Sequence, residues 1–311
     1  MAITSKDKSL LYTLQTADGT RCFSETERWM RSRKGRNVIS DETRDAEHVH
    51  LDKPSAARMY DYFFGGFHNT AADRHAAEAV KAIYPDAPLV MRANRAFLRR
   101  AVAFLIERGI TQFLDIGAGI PTVGNVHEIA QRLHPGARVV YVDIDPVAVN
   151  LSMALLAGNP DAAVILADAR RPAAIFAHPE VPRLLDLERP LGVLLVSVLP
   201  FLKENEEAYR AVDAIRAAVA PGSYLAISHH TNDDMPPDIA AQTEWLYAGT
   251  TNPSRYRTHA EIARFFANLT LVEPGLVYAP LWRPEPLDDL FLRRPERAIN
   301  LAGVGIKPFP E

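Results

Sequence analysis

The chain has a single cysteine, Cys22, in 311 residues. An internal disulfide is impossible, and one thiol without partners at ligand spacing is not a metal site. The ten histidines are scattered, with no His-x-x-x-His or Cys-x-x-Cys pair to put two ligands on one face, so no structural metal is expected. Excess charge is also missing. With 35 Lys and Arg against 38 Asp and Glu the net charge is −3, which leaves no global field to hold a polyanion and makes nucleic acid an unlikely partner. The longest apolar stretch, Gly192 to Leu202, is about half the roughly 20 residues a membrane span needs. No apolar run follows Met1, so neither membrane insertion nor a secretory leader is expected, and the cytoplasm is the expected compartment. What the chain does have is an ordinary globular mix, 48% apolar and 23% charged. That excludes wholesale disorder and fibrous repeats, and the length allows one large domain or two ordinary ones.

Residues 1–52 mix acidic and basic side chains with little apolar period and read as a flexible N-terminal extension. Its basic run Arg31, Arg33, Lys34 and Arg36 is followed at once by Asp41, Glu42, Asp45 and Glu47, the pattern of a solvated face. From Pro54 the composition changes. Helices are predicted over 55–64, ending at Gly65-Gly66, over 71–83, and over 89–108, ending at Gly109. These form a helical cap, residues 53–109. Residues 110–311 then alternate. Strands are predicted at 111–115, 138–143, 163–166, 192–196 and 223–228, with later ones at 270–272 and 302–306. Helices are predicted at 123–133, 146–157 and 204–219, and the capping box Thr258-x-x-Glu261 opens another that ends near Phe266. Apolar strands separated by helices predict an α/β fold with a doubly wound, mostly parallel sheet of Rossmann-like type.

In such sheets ligands sit outside the carboxyl ends of the strands, where strand order reverses. The first strand ends in Asp115-Ile116-Gly117-Ala118-Gly119, whose glycines let the backbone approach a ligand closely. A dinucleotide fingerprint needs a third glycine three residues on, and this chain has Thr122 there, after Pro121. Asp115 would repel a phosphate but can meet an ammonium group. Asp143, at the end of the second strand, can accept from both ribose hydroxyls, with Ile144 packing on a base. Asp168, just past the third, can accept from an adenine amino group, beside Ala169. Together they describe a cationic, phosphate-free nucleoside, which is S-adenosylmethionine. Asp115, Asp143 and Asp168 at successive strand ends resemble class I methyltransferases that use this cofactor.

A closer resemblance runs from about Pro54 to Pro308. The segments Pro54-Ser-Ala-Ala-Arg-Met-Tyr-Asp-Tyr-Phe-Phe-Gly-Gly66, Ala71-Ala-Asp-Arg74, Arg92-Ala-Asn-Arg95, Phe113-Leu-Asp-Ile-Gly-Ala-Gly119 and Leu271-Val-Glu-Pro-Gly-Leu276 resemble the actinobacterial S-adenosyl methyltransferase family. The resemblance implies a Rossmann-like methyltransferase core, a helical N-terminal cap, cofactor bound at the glycine turn, and an undefined substrate. Phe67 and His68 stand where that family usually has Lys and Asp, and Pro200 where it usually has His. Both places are expected to border the substrate.

Methyl transfer from a sulfonium is an in-line displacement with a neutral leaving group, so alignment in a dry pocket is the main requirement. The expected cofactor residues are Asp115, Gly117, Ala118, Gly119, Asp143, Ile144, Asp168 and Ala169, with Ser197 and Val198 beside the reacting methyl. Tyr62 and Arg95 are expected at the cofactor as well, since one tyrosine of Tyr60 and Tyr62 and one arginine of Arg92 and Arg95 on the cap can reach the cofactor carboxylate or the acceptor. His229 and His230, ending the fifth strand, are candidate proton acceptors, although a histidine in such a place is more often a hydrogen-bonded loop residue. Trp245, Tyr247 and Trp282 are candidates for an apolar substrate wall, against the default of buried structural aromatics. No Asn-Pro-Pro-Tyr, Asp-Pro-Pro-Tyr or Pro-Cys follows the fourth strand, as DNA methylation would require. A small-molecule acceptor is expected, and a homodimer is compatible with the sequence. A binding protein without turnover is the alternative, whereas a nicotinamide oxidoreductase is disfavoured by Thr122 and by the lack of a Tyr-x-x-x-Lys pair.

Overall fold

Strand periodicity decides the architecture. The computed structural model describes residues 51–121, 124–285 and 290–310. In these, β1 (Gln112–Ile116), β2 (Arg138–Asp143), β3 (Ala162–Leu166), β4 (Gly192–Val196) and β5 (Tyr224–His230) pair in parallel. β8 (Asn300–Ile306) runs antiparallel to β5, and the short β6 (Thr270–Leu271) and β7 (Val277–Tyr278) pair with β8. The sheet order is β3-β2-β1-β4-β5-β8-β6, with β7 also on β8. The order reverses between β1 and β4, which places a crevice at their carboxyl ends.

Alternate side chains leave a strand on opposite faces. Leu114, Ile116, Val140, Val142, Leu225 and Ile227 pack on one side. They meet α6 (Pro172–Ala177), α7 (Glu180–Leu184) and α8 (Asn205–Ala218), and Ile262 of α10 (His259–Ala263) joins them. Phe113, Val139, Tyr141, Leu194 and Ala226 pack on the other, under α3 (Ala87–Glu107) and α4 (Val126–Leu133). α5 (Pro146–Leu155) follows β2. Both faces are thus covered, and each fully buried Leu, Ile or Val contributes about 1.5–3 kcal/mol.

The cap builds a third apolar cluster. α1 (Ala56–Phe63) and α2 (Ala71–Ile83) bring Met59, Phe63, Ala77 and Val80 against Val90 and Met91 of α3, and against Ala240 and Tyr247 of α9 (Pro237–Ala248). Thr70 and Asp73 form a capping box that starts α2, and the anticipated Thr258 and Glu261 box starts α10. Cap and sheet lie within one unit, Ala46–Glu311.

The doubly wound, mostly parallel sheet stands as read from the sequence. Three helices were not anticipated. α6 and α7 are too short to show an apolar period, and α9, opening on Pro236-Pro237, has no clear apolar stripe because apolar residues lie all round it. β5 extends through His230, two residues past the expected end. The readings made on residues 1–50 and on Thr122, including Cys22 and the basic run, lie outside the described residues.

Candidate active site

The carboxyl ends of β1 to β5 open into one cleft enclosing about 1420 Å³ of empty space, its mouth included. The cleft is lined by Asp115, Gly117, Ala118, Gly119, Asp143, Ile144, Asp168, Ala169, Ser197, Val198, Arg95 and His230 from the sequence-derived set, and not by Tyr62 or His229. Strand periodicity explains the convergence. Asp115 follows Phe113 by two, Asp143 follows Tyr141 by two, and His230 follows Ala226 and Ser228, so all three stand on the face that carries α3.

Two carboxyl groups dominate the electrostatics. Asp115 is buried, and loss of solvent pushes its pKa up to about 7; the positive charge of Arg95 pulls it down and the negative charge of Asp143 pushes it up. Burial also raises Asp143, to about 6. Its two oxygens are held by backbone donors, Oδ2 by the Gly119 N–H at 2.7 Å and Oδ1 by the Asp145 N–H at 2.8 Å. Asp143 is therefore a fixed acceptor that also ties the end of β2 to the glycine turn.

The turn itself needs glycine at two positions for different reasons. Gly117, at φ +79°, would drive a Cβ to 2.4 Å from Val198, the residue that packs over it. Gly119, at φ +69°, would meet nothing within 4 Å, so it presents bare backbone to open space. Beside it Ile144 lies 39% exposed, an apolar side chain offered to the cleft. Ser197 takes a left-handed conformation (φ 58°) after β4, anchored by its N–H to the Ser228 carbonyl, and its hydroxyl lies 3.3 Å from that of Ser228. Asp168 lines the cleft with its carboxylate gripped by the Arg170 guanidinium at 2.6–2.9 Å. Arg170 lines the cleft too, a neighbour the sequence reading did not weigh.

On the cap, residues two apart on a helix face directions about 200° apart, so Tyr60 and Tyr62 cannot share the cleft. Tyr60 lines it, with the Arg95 guanidinium 5.8 Å from its ring centre. Tyr62 is turned to the surface, where its hydroxyl donates to Glu78 at 2.6 Å. Arg92 is exposed and does not line the cleft. The expectation for Tyr62 is thus corrected in favour of Tyr60.

The adjacent histidines part in the same way. His229 lies on the opposite face of β5, fully buried and stacked on Phe265. Its Nε2 accepts from Arg257 at 2.7 Å and its Nδ1 donates to the His230 carbonyl at 2.7 Å, while burial and Arg257 hold its pKa well below the ordinary value. It is a neutral structural group away from the cleft. Arg257, equally buried, also donates to the carbonyls of Leu199 and Leu202, fixing the loop after β4. Pro200 is buried in that loop, where its carbonyl accepts from the Arg255 N–H, and it does not line the cleft as expected. Of the three aromatics weighed as a substrate wall, only Tyr247 lines the cleft. Trp282 is fully buried, edge-on to Phe97 and Phe104, and Trp245 is 75% exposed. Phe67 is exposed as well, and the His68 N–H donates to the buried Asp61 at 2.9 Å, so neither residue lines the cleft.

One buried network was not foreseen. The Ser55 hydroxyl donates to Asp145 Oδ2 at 2.5 Å, and Arg58 pairs with Asp73 at 2.8 Å and with Asp145 at 3.4 Å. All four side chains are buried. Asp145 also caps α5 through the Val147 N–H. The cap is thereby fastened to the loop that carries Asp143. The signal available in the sequence was Arg58 on the apolar face of an amphipathic helix, next to Met59.

Known proteins bear on this geometry. A family model described as S-adenosyl methyltransferase matches residues 42–308. Among solved structures, a DUF574 family protein from Streptomyces avermitilis is 40% identical, with 84% of this chain and 100% of that chain covered and a TM-score of 0.79. A candidate methyltransferase from Thermobifida fusca is 42% identical, covering 84% of this chain and 97% of that one, with a TM-score of 0.78. No curated protein matches. Matched over most of its length, the chain belongs to the S-adenosyl methyltransferase family, with S-adenosylmethionine as its cofactor.

Proposed function

We propose that the chain transfers a methyl group from S-adenosylmethionine to a small-molecule acceptor held between the sheet and the cap. The observation that carries the reading is the convergence of Asp115, Asp143 and the open backbone of Gly119 on one cleft. The residues fit the cofactor. Two buried, acceptor-only carboxylates suit an ammonium group and a pair of hydroxyls, and the space a side chain at 119 would fill is free for a ligand.

On this reading Asp115 holds the ammonium group and Asp143, its oxygens oriented by backbone donors, holds the ribose. Ile144 packs against adenine, and Asp168 with Ala169 borders its amino edge. Ser197 and Val198 flank the reacting centre, and Arg95 faces the carboxylate. The cofactor supplies an electrophilic methyl on a sulfonium that departs as a neutral thioether. The protein's part is alignment and exclusion of water, supplied by the docked cap. The division into extension (1–52), cap (53–109) and core (110–311) belongs to the same proposal. So does a cytoplasmic setting, supported by the single cysteine and by the finding that no helix among the described residues is long and apolar enough to cross a membrane. Enclosure of the cleft by the cap favours a small molecule over a polymer.

Calorimetric titration with S-adenosylmethionine, S-adenosylhomocysteine and NAD tests the cofactor assignment. Micromolar binding of the first two and none of NAD is expected, and failure of both sulfur nucleosides overturns it. Conversion of the first to the second with an acceptor from a metabolite pool separates an enzyme from a binding protein without turnover.

A further inference from the structure

The cofactor residues account for one end of the cleft. The other end is walled by Tyr60, Phe63, Met91, Phe201 and Tyr247, with His230 as its polar edge. None of these side chains is a carboxylate, ammonium or guanidinium group; the nearest charge is Arg95, 5.8 Å from the Tyr60 ring centre, which on the reading above faces the cofactor carboxylate. The Phe201 and Tyr247 rings lie 6.4 Å apart at 50°, leaving aromatic faces and edges for a further ring, and Met91 adds a soft, adaptable contact.

His230 differs from every other histidine of the core. Its Nε2 is buried without a hydrogen-bond partner, and burial pulls its pKa down to about 4, so the ring is neutral at neutral pH. Directly across the β5–β8 pair stands Asn300, fully buried, with both amide atoms also unpartnered. Opposite residues of an antiparallel pair share a face at about 5 Å between Cβ atoms. Buried polar atoms are nearly always bonded, so three unpartnered ones at neighbouring positions mark a place built for a hydrogen-bonding guest or for each other.

We propose that this end of the cleft takes an uncharged, flat aromatic molecule bearing a hydroxyl group and that His230 takes the hydroxyl proton. The proposal rests on the methyl-transfer reading above. With Arg95 engaged by the cofactor carboxylate, an unpaired charge would be costly against these apolar walls, which disfavours carboxylate and ammonium acceptors. A hydroxyl is a weak nucleophile that gains from a base, and a neutral imidazole offers one lone pair for it. As the acceptor oxygen forms its bond to the methyl carbon, its O–H bond breaks and the proton passes to His230. The carbon–sulfur bond breaks with its electron pair going to sulfur, which cancels the sulfonium charge. The imidazolium then returns its proton to solvent.

The test uses the full chain and three probes of one shape: 2-naphthol, 2-naphthoate and 2-naphthylmethylammonium. Each is titrated, by its own fluorescence, into protein saturated with S-adenosylhomocysteine, so that binding is read without turnover. The naphthol is expected to bind at least about tenfold more tightly than either charged analogue, and to yield its methyl ether when S-adenosylmethionine is supplied. His230→Gln is expected to hold the naphthol within about threefold of the parent while methyl transfer falls about 100-fold or more, in the usual range for loss of a general base. Tighter binding of a charged analogue, no naphthol binding to the saturated protein, or full transfer by His230→Gln would each overturn the proposal. Failure of S-adenosylhomocysteine itself to bind would instead overturn the methyl-transfer reading. The parent protein's ranking of the three probes decides the acceptor class even if a variant fails to fold.

Discussion

The two ends of the cleft are built in opposite ways. The cofactor end is polar and local: Asp115, Gly117 and Gly119 belong to one turn, and Asp143 and Asp145 to the next. The acceptor end is apolar and gathered from α1, α3, the loop after β4, β5 and α9. The first is fixed by backbone hydrogen bonds and positive φ, which single residues specify. The second depends on how the cap docks, which only packing specifies. Asp145 joins the two, because its N–H orients Asp143 while its carboxylate receives Ser55 and Arg58 from the cap.

The largest expected effect comes from breaking that joint. Arg58→Ala strands the buried carboxylates of Asp73 and Asp145, and removal of one partner from a buried ion pair costs about 3–5 kcal/mol. Thermal unfolding should register it as a drop of roughly 10 °C, at about 2–4 °C per kcal/mol for a chain of this size or somewhat less. Cofactor affinity should fall with it. An unchanged dissociation constant in a strongly destabilised Arg58→Ala protein would show that the two ends are not coupled.

Next comes a change confined to the cofactor end. Asp143→Ala is expected to weaken S-adenosylmethionine binding by more than about tenfold, since each hydrogen bond to a charged group contributes about 1.5–3 kcal/mol. The fold should survive, because the lost side chain is a desolvated carboxyl whose ionisation burial already opposes. Calorimetry beside circular dichroism reads both quantities. Near-parent affinity would refute the ribose assignment.

The same contrast sets what could be read from the sequence. The sheet, its parallel order and the strand-end carboxylates were legible because apolar runs of period two and Gly-rich turns are local signals. Gly117, Gly119, Asp115, Asp143 and Ile144 all reach the cleft as read. The choice of Tyr60 over Tyr62 and of His230 over His229 was not made, although the periods of helix and strand contain both answers once one residue's face is known. Phe63, Met91, Phe201 and the Ser55–Arg58–Asp73–Asp145 network were missed because their partners lie far apart in the chain. Trp282 shows the converse: a large aromatic in the sequence is more often core than pocket wall.

Acidity sharpens the comparison from another side. Asp115 and Asp143, at about 7 and about 6, lie above the ordinary carboxyl value of 3.8. A raised carboxyl favours the folded state below the unfolded pKa, and that contribution is lost as pH rises through about 6 to 7. A bound ammonium group at Asp115 and hydroxyls donating to Asp143 each favour the ionised form, so ligand binding releases protons in this window. The dissociation constant for S-adenosylmethionine should therefore fall as pH rises from 5 and level off above about 7, by up to about tenfold per pH unit for each carboxyl. The ligand-induced rise in melting temperature should be larger at pH 8 than at pH 5.5. A pH-independent affinity would mean that Asp115 does not meet the ammonium group.

The smallest effect is expected at Asp168, and its size separates two roles. The carboxylate already makes a close ion pair with Arg170, and it accepts the Arg170 N–H at 2.9 Å. Such a half-exposed pair contributes about 1 kcal/mol or less to stability. If the residue only shapes the turn after β3, Asp168→Asn keeps the backbone hydrogen bond and leaves binding unchanged. If it accepts from the adenine amino group, the amide keeps one acceptor oxygen but loses its charge, and affinity should drop by about threefold to tenfold, in line with a single partly exposed hydrogen bond. Inosine-containing and adenosine-containing forms of S-adenosylhomocysteine make the distinction directly. The parent should prefer the adenosine form, and Asp168→Asn should narrow that preference while leaving the response to pH, set by Asp115 and Asp143, intact.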